Sequence, residues 1–177
     1  MTKRKGEHAH YENMFEDYLR RSGVLYIAID ESRRPFYAGN RVKNFDFIVS
    51  SFNGKFLIDI KGKKFGYGNN KASSLWENWV RTDDLQGLRL WSTHFNAFIP
   101  LLVFTYLLNT PTDKKYFKDI RKFNGKMYGI VAITLAEYYT HAVPRSKKWE
   151  AIYVPRELFP EIVKPISYFI PELRRQW

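Results

Sequence analysis

Two carboxylates and one lysine in the first half of the chain have types and spacing suited to chemistry on a phosphate: Asp46, Asp59 and Lys61. Asp46 and Asp59 can converge on one hard cation, since Mg2+ accepts one or two protein carboxylates and keeps several waters. The Lys61 ammonium can orient or help to deprotonate an attacking water, or stabilise charge that develops on the phosphate. Together these residues indicate phosphodiester hydrolysis. The alternative is an exposed ion pair between Asp46 and Lys61 beside a solvated Asp59.

A predicted antiparallel hairpin brings the three residues together. Residues 45–50 and 56–60 have the composition of strands, and Asn53-Gly54 between them is a strong signal for a tight turn. If Asn53 and Gly54 alone form the turn, paired positions sum to 107 and Asp46 lies opposite Lys61. Because side chains alternate between the faces of a strand, Asp59 shares their face. The opposite face is predicted to be core and carries Phe45, Phe47, Val49, Ile58 and Ile60.

Hydrophobic periodicity predicts the elements around this hairpin. Apolar residues at helical spacing predict helices at 11–21, followed by Gly23, and at 83–91. Near-continuous apolar runs predict central strands, covered on both faces, at 99–107 and 128–135. The remaining predictions are a strand at 24–29, a polar loop at 63–71, an edge strand at 149–154, and a tail cut into short pieces by Pro155, Pro160, Pro165 and Pro171. We therefore expect a layered α/β sheet.

Composition and charge restrict the class of protein and of site. The 177 residues fit one domain, and an apolar fraction of 45% supplies a packed core. The net charge of +11 makes a polyanion the first partner to consider, with nucleic acid ahead of an anionic membrane surface. The absence of cysteine excludes thiolate zinc sites and a cysteine nucleophile. No apolar run reaches the about 20 residues of a spanning helix, so we expect a soluble cytoplasmic protein without a membrane partner.

The order of these residues resembles the PD-(D/E)XK nuclease superfamily. Its pattern is a helix bearing Glu, a strand, a hairpin arm with Asp, and a second arm with Asp or Glu, any residue, and Lys. Here the pattern is met by Glu12, Asp46 and Asp59-Ile60-Lys61. The spacing is similar to that of archaeal Holliday junction resolvases, which also place Tyr-Glu about one helix length before a Gly; Tyr11-Glu12 and Gly23 match. The chain departs from the pattern at Phe45, where proline often stands.

The resemblance implies a restriction-endonuclease-like α/β fold, a mixed sheet flanked by helices, as a single domain over residues 1–177. The motifs lie in a core at about 8–108, and C-terminal strands and short helices follow at 126–177. It implies Mg2+ or Mn2+ held by Glu12, Asp46 and Asp59, with Lys61 assisting the attacking water. The implied activity is endonuclease cleavage of nucleic acid, with DNA the expected substrate and a structure-selective, junction-resolvase-like mode. The implied assembly is a homodimer.

Glu16 is the rival to Glu12 for the helix carboxylate, since it lies one turn further along the same side of the predicted helix. Its other reading is an ion pair with Arg20. We favour Glu12 because its spacing matches the resolvase pattern, and we keep Glu16 as a residue that can support the site from behind.

Four more residues are candidates for contact with substrate. Arg33 and Arg34 follow the first strand and can clamp phosphates, unless they belong to an ordinary solvated loop. Lys63 continues past the site lysine on the same strand face and can contact a nucleic-acid backbone. Gln86, on the second predicted helix, either orients a water or is a plain surface glutamine. Three tryptophans, Trp76, Trp79 and Trp91, are predicted as buried core, with stacking on unpaired bases as the alternative.

Two other classes of function stay open at this point. The first is a nucleic-acid-binding module that kept the fold and lost the reaction; loss of activity usually replaces a carboxylate or the lysine, and here all four are present. The second is a basic docking domain for a membrane or protein partner, whose binding would lack the steep salt dependence of phosphate contacts.

Overall fold

A seven-stranded sheet runs through the protein and carries helices on both faces. The computed structural model describes residues 9–30, 32–33, 35–67, 75–146, 148 and 150–174. The helices are α1 (Ala9–Arg21), α2 (Thr82–His94), α3 (Leu135–His141), α4 (Phe159–Ile162) and α5 (Ile166–Phe169), with 3-10 helices at Pro111–Tyr116 and Pro171–Arg174. The strands are β1 (Leu25–Ala28), β2 (Phe36–Tyr37), β3 (Asn40–Arg41), β4 (Phe47–Ser51), β5 (Gly54–Phe65), β6 (Val80–Arg81), β7 (Phe98–Leu108), β8 (Asp119–Phe123), β9 (Lys126–Thr134), β10 (Val143–Ser146), β11 (Ala151–Tyr153) and β12 (Lys164–Pro165).

The sheet is mixed, as predicted. Its order is β1-β4-β5-β7-β9-β12, and β8 also pairs with β9. Strands β5 and β7 are parallel over their whole length, from Lys55 opposite Phe98 to Phe65 opposite Leu108, whereas the other neighbours are antiparallel. A small sheet of order β10-β11-β6 and the pair β2-β3 lie apart from it. The long central strands β5 and β7 are the rigid support on which the candidate site is built.

Most elements predicted from periodicity are confirmed. The helices predicted at 11–21 and 83–91 are α1 and α2, and the strands predicted at 24–29, 99–107 and 128–135 are β1, β7 and β9. The loop predicted at 63–71 is wrong at its start, because residues 63–65 continue β5 alongside β7; residues 68–71 lie outside the described part of the chain. The strand predicted at 149–154 is β11, which lies in the middle of the small sheet rather than at an edge, and residue 149 is outside the described part.

The predicted register of the hairpin β4-β5 is wrong. Phe47 lies opposite Ile58 and Ser51 opposite Gly54, so paired positions sum to 105 rather than 107. The turn residues are therefore Phe52 and Asn53, and Gly54 already belongs to the ladder. The predicted cross-strand pair of Asp46 with Lys61 does not form as a consequence.

Both faces of the central sheet are packed. One face carries α1, α5 and the last 3-10 helix over a cluster that includes Phe47, Val49, Ile58 and Ile60, as predicted. The other face carries α2, α3 and α4 over Leu57, Phe65, Leu102 and Phe104, among others. Phe45 belongs to this second cluster and not to the first, because it precedes the regular ladder of β4. The charged residues of β5 are thus interleaved with core residues on a buried face.

Candidate active site

One cavity of about 270 Å³ brings together the four residues that the sequence predicted for the site, Glu12, Asp46, Asp59 and Lys61. It lies where α1, the hairpin β4-β5 and the N-terminal end of α2 meet. Its described lining is Glu12, Lys43, Asn44, Asp46, Asp59, Ile60, Lys61, Gly62, Lys63, Trp79, Val80, Arg81 and Asp84. Acidic and basic groups from separate parts of the chain therefore share one water-accessible volume.

Lys61 lies between two carboxylates. Its Nζ is 2.8 Å from Asp59 Oδ2 and 2.7 Å from Asp84 Oδ2. Burial by itself would lower the pKa of Lys61, but the two negative charges outweigh burial and hold the pKa above its usual value. The Lys61 ammonium is therefore charged at neutral pH. In this form it can donate hydrogen bonds and place a positive charge beside a bound anion.

Asp84 on α2 is shared by two lysines. Its Oδ2 binds Lys61 and its Oδ1 accepts a hydrogen bond of 2.7 Å from Lys43 Nζ. Burial by itself would raise the pKa of Asp84, but Lys61 and Lys43 together lower it. Sequence reasoning missed both Asp84 and Lys43. The one available signal was the acidic start of the predicted helix, where Asp83 and Asp84 stand side by side.

Asp46 ties the two arms of the hairpin together through its side chain. It is 2% exposed, and its Oδ2 accepts a hydrogen bond of 2.6 Å from the Ile60 backbone N–H. Asp59, in the middle of β5, is 5% exposed. Buried carboxylates cost free energy unless charged or hydrogen-bonding groups compensate them, so their position in this core indicates a dedicated site rather than a solvated surface.

Glu12 reaches the cavity because α1 lies close to β5. Gly62 permits this approach: a side-chain Cβ at that position would overlap the ring of Tyr11. The Tyr11 hydroxyl also donates a hydrogen bond of 3.1 Å to the Lys63 carbonyl. These contacts fix the first turn of α1 against the strand that carries Asp59 and Lys61.

Lys63 is a second buried lysine in the cavity. It is 8% exposed, and its Nζ lies 3.4 Å from the centre of the Trp79 ring. Burial lowers the pKa of Lys63 to about 7; the positive charges of Lys61 and Arg145 act in the same direction and Glu77 opposes them. The side chain therefore changes charge near neutral pH while it rests on an aromatic face.

The other predicted site residues lie elsewhere or outside the described part. Glu16 does not line the cavity and accepts a hydrogen bond of 3.2 Å from the Tyr26 hydroxyl, so Glu12 is the helix carboxylate at the cavity. Arg33 is exposed, with its Nε 3.8 Å from Asp30 Oδ2, and does not line the cavity. Gln86 is exposed on α2 and also stays outside it, because the helix presents Asp84 instead. Arg34 lies outside the described residues.

The donor set of the cavity suits a hard divalent cation, since Glu12, Asp46 and Asp59 all offer carboxylate oxygens. Within the described part of the chain, however, no three His, Asp or Glu side chains are grouped closely enough to hold a metal ion. One reason is visible in the geometry, because Lys61 Nζ already lies against Asp59. The residues fit Mg2+ or Mn2+ in chemical type, and binding would require Lys61 to withdraw from Asp59.

Comparisons with known proteins support the fold. No protein-family model matches the chain, and no curated protein matches its sequence. Among solved structures, Hjc, a Holliday junction resolvase of the archaeal hyperthermophile Archaeoglobus fulgidus, matches with a TM-score of 0.50 over 90% of this chain and 96% of the resolvase chain. This chain has the resolvase fold. At 10% sequence identity the likeness concerns architecture alone, and it confirms the predicted restriction-endonuclease-like α/β class.

No helix within the described residues is long and apolar enough to cross a membrane.

Proposed function

We propose that the protein is a metal-dependent nuclease that hydrolyses phosphodiester bonds in DNA, of the junction-resolvase type. One observation carries the proposal: Glu12, Asp46, Asp59 and Lys61 line one cavity on a fold shared with a Holliday junction resolvase. The four residues come from two elements that are far apart in sequence, α1 and the hairpin. Because burying charged side chains costs free energy, charges without a role would not be expected to converge in a largely buried cavity.

The chain's own residues have distinct roles in this proposal. Glu12, Asp46 and Asp59 hold Mg2+ or Mn2+, which when bound supplies positive charge beside the phosphate and favours ionisation of water. Lys61 donates hydrogen bonds to the phosphoryl oxygens and places its positive charge beside them, since the neighbouring carboxylates raise its pKa and favour the ammonium form. Asp84 keeps that ammonium in place at 2.7 Å.

The cavity also offers groups that attract a polyanion. Lys43, Arg81 and Lys63 line it together with the site lysine. The net charge of +11 supplies the long-range attraction, which should weaken steeply as salt rises. These features support nucleic acid as the substrate, and the match to Hjc favours branched DNA within that class. The homodimer implied by the resemblance and the cytoplasmic location stay predictions.

The test is cleavage of labelled linear, branched and single-stranded DNA, and of RNA, in Mg2+, Mn2+ or chelator. We expect metal-dependent cutting by the wild type and its loss in Lys61→Ala. Lys55→Ala is the matched control, because Lys55 is exposed on the same strand and lies outside the cavity. Equal cutting by Lys61→Ala and Lys55→Ala would contradict the proposal.

A second candidate is a DNA-binding module that does not cut. The contact of 2.8 Å between Lys61 and Asp59 favours it, since a lysine held on the carboxylate competes with a cation. This candidate predicts binding of branched DNA without cleavage in every metal of the panel, and an affinity that does not change with Mg2+. Cleavage that depends on Lys61, in any metal of the panel, excludes this second candidate.

A further inference from the structure

A second cavity, of about 380 Å³, adjoins the carboxylate cavity, and Trp79 lines both. Its described lining is Glu77, Asn78, Trp79, Arg145, Tyr153, Pro155, Arg156 and Glu157. We call it the Trp79 cleft. It lies between the segment before β6 and the small sheet that contains β10 and β11. A strand of nucleic acid in the carboxylate cavity would have its neighbouring nucleotide at this cleft.

The cleft is polar but balanced in charge. Its described lining includes two arginines and two glutamates. Glu77 accepts a hydrogen bond of 2.8 Å from Trp79 Nε1 and lies 3.6 Å from Arg145. Within the described part of the chain, Arg156 makes no ion pair and the Tyr153 hydroxyl makes no hydrogen bond. The cleft therefore presents a guanidinium, from Arg156, and a phenol, from Tyr153, that make no such contact within the described residues, whereas the Trp79 ring already lies against Lys63 and Arg145.

This balance argues against a second phosphate. A phosphate gains most from an excess of positive charge, and the two arginines and two glutamates of the described lining supply no such excess. A nucleobase is neutral and presents donors and acceptors along its edges and an aromatic face. Unstacked bases are bound by stacking on aromatic side chains or arginine planes and by hydrogen bonds to their edges. The lining of the Trp79 cleft matches those needs.

We propose that the Trp79 cleft binds an unpaired nucleobase of the substrate strand, next to the bond that is cut. This inference rests on the proposed nuclease function and narrows its substrate to DNA with an unstacked nucleotide at the site, such as a branch or a bulge. Tyr153 supplies the stacking surface, and Arg156 donates to the edge of the base. Base-paired DNA cannot place a base in the cleft without first unstacking it.

The experiment measures binding in chelator, where no cutting occurs. The probes are a short labelled DNA duplex with one unpaired adenine and the same duplex with an abasic analogue in place of that adenine. We expect wild type to bind the adenine probe about tenfold more tightly, within the range that base stacking supplies. Tyr153→Leu and Arg156→Gln remove contacts of the cleft. Tyr168→Leu and Arg174→Gln are the matched controls, since both residues are exposed and line neither cavity.

Loss of the adenine preference in either cleft variant, with the preference kept in both controls, supports the proposal. Equal affinity of wild type for the two probes overturns it, as does a preference that survives in both cleft variants. Cleavage in Mg2+ by the same proteins separates this inference from the nuclease proposal. Cutting that depends on Lys61, without adenine preference, would support the nuclease proposal and contradict base binding in the cleft. Adenine preference without cutting would support base binding in the cleft and contradict the nuclease proposal.

Discussion

Lys61 Nζ and Asp84 Oδ2 are 2.7 Å apart. Lys61 lies on β5, and Asp84 lies on α2, the helix that packs on the same face of the sheet. The same ammonium lies 2.8 Å from Asp59. Asp84 therefore shares Lys61 with the carboxylate that the proposed metal needs. When Lys61 stays with Asp84, Asp59 can turn to a cation; when Asp84 is absent, Lys61 has Asp59 alone.

Asp84→Asn should weaken metal use more than it weakens the fold. Without the Asp84 charge, Lys61 binds Asp59 more strongly, so the Mg2+ concentration for half-maximal cleavage should rise about tenfold. The free energy of unfolding should fall by about 1 to 3 kcal/mol, because a largely buried ammonium loses one of its partners. Metal titrations of cleavage and chemical denaturation measure the two effects.

Asp83→Asn is the control for this prediction. Asp83 is the adjacent residue, its side chain is more exposed, and it lies 3.7 Å from Lys43 rather than beside Lys61. It removes the same charge from the same helical turn. An equal rise in the Mg2+ requirement for both variants would mean that general electrostatics, and not the contact with Lys61, controls metal use.

Metal binding can be measured without any reaction. Isothermal titration of Mg2+ or Mn2+ into the wild type should show one divalent site, and Asp59→Asn and Asp46→Asn should each weaken it by tenfold or more. Asn at position 46 can still accept the hydrogen bond from the Ile60 N–H, so a loss there reports charge rather than folding. Glu16→Gln should leave the affinity unchanged, since Glu16 lies outside the cavity. A uniform effect of all three variants would speak against the assigned ligands.

The order of elements could be predicted from the sequence, and so could the faces of the hairpin, except at Phe45, which packs on the face opposite to the predicted one. The actual register differs from the predicted one by two positions in the partner strand, and a shift of two leaves every side chain on its face. Asp46, Asp59 and Lys61 therefore converge although the predicted pair of Asp46 with Lys61 is wrong. The Asn53-Gly54 signal could not fix the register, because Gly54 can equally stand in the ladder opposite Ser51.

Contacts that depend on how separate elements pack could not be predicted. Asp83 and Asp84 are adjacent acidic residues in the first turn of α2, and only the rotation of the helix on the sheet decides which one reaches Lys61. That rotation depends on a close approach at Gly87, where a Cβ would lie 2.7 Å from the Lys43 carbonyl. The Trp79 cleft depends likewise on the small sheet, in which β6 pairs with β11, a strand about 70 residues later in the chain.

Gly62→Ala should damage the site by displacing α1. The added methyl group would overlap the Tyr11 ring, so α1 and the neighbouring Glu12 must move away from β5. We expect the free energy of unfolding to fall by about 1 to 3 kcal/mol and cleavage to fall with it. Tyr11→Leu combined with Gly62→Ala should cost less than the sum of the single changes, because the smaller side chain makes room. Additive losses in this double-mutant cycle would show that the contact does not fix α1.

Lys63→Met should stabilise the protein relative to wild type, and this gain in the free energy of unfolding should be larger at low pH than at high pH. The folded pKa of Lys63 is about 7, below its ordinary value of 10.5. Below pH 7 the lysine is charged in both the folded and the unfolded state, so the full cost of burying the ammonium is present. Between pH 7 and 10.5 the unfolded chain binds more protons than the folded protein, so the free energy of unfolding of wild type rises with pH. Methionine removes that cost. The stability advantage of Lys63→Met should therefore shrink by about 3 kcal/mol between pH 6 and pH 9. Denaturation curves at several pH values measure this change, with Lys64→Met, at an exposed neighbour on β5, as the control for loss of one positive charge.

If the stability advantage of Lys63→Met does not change with pH, Lys63 is charged in the folded protein throughout this range, and the Trp79 face stabilises the ammonium fully.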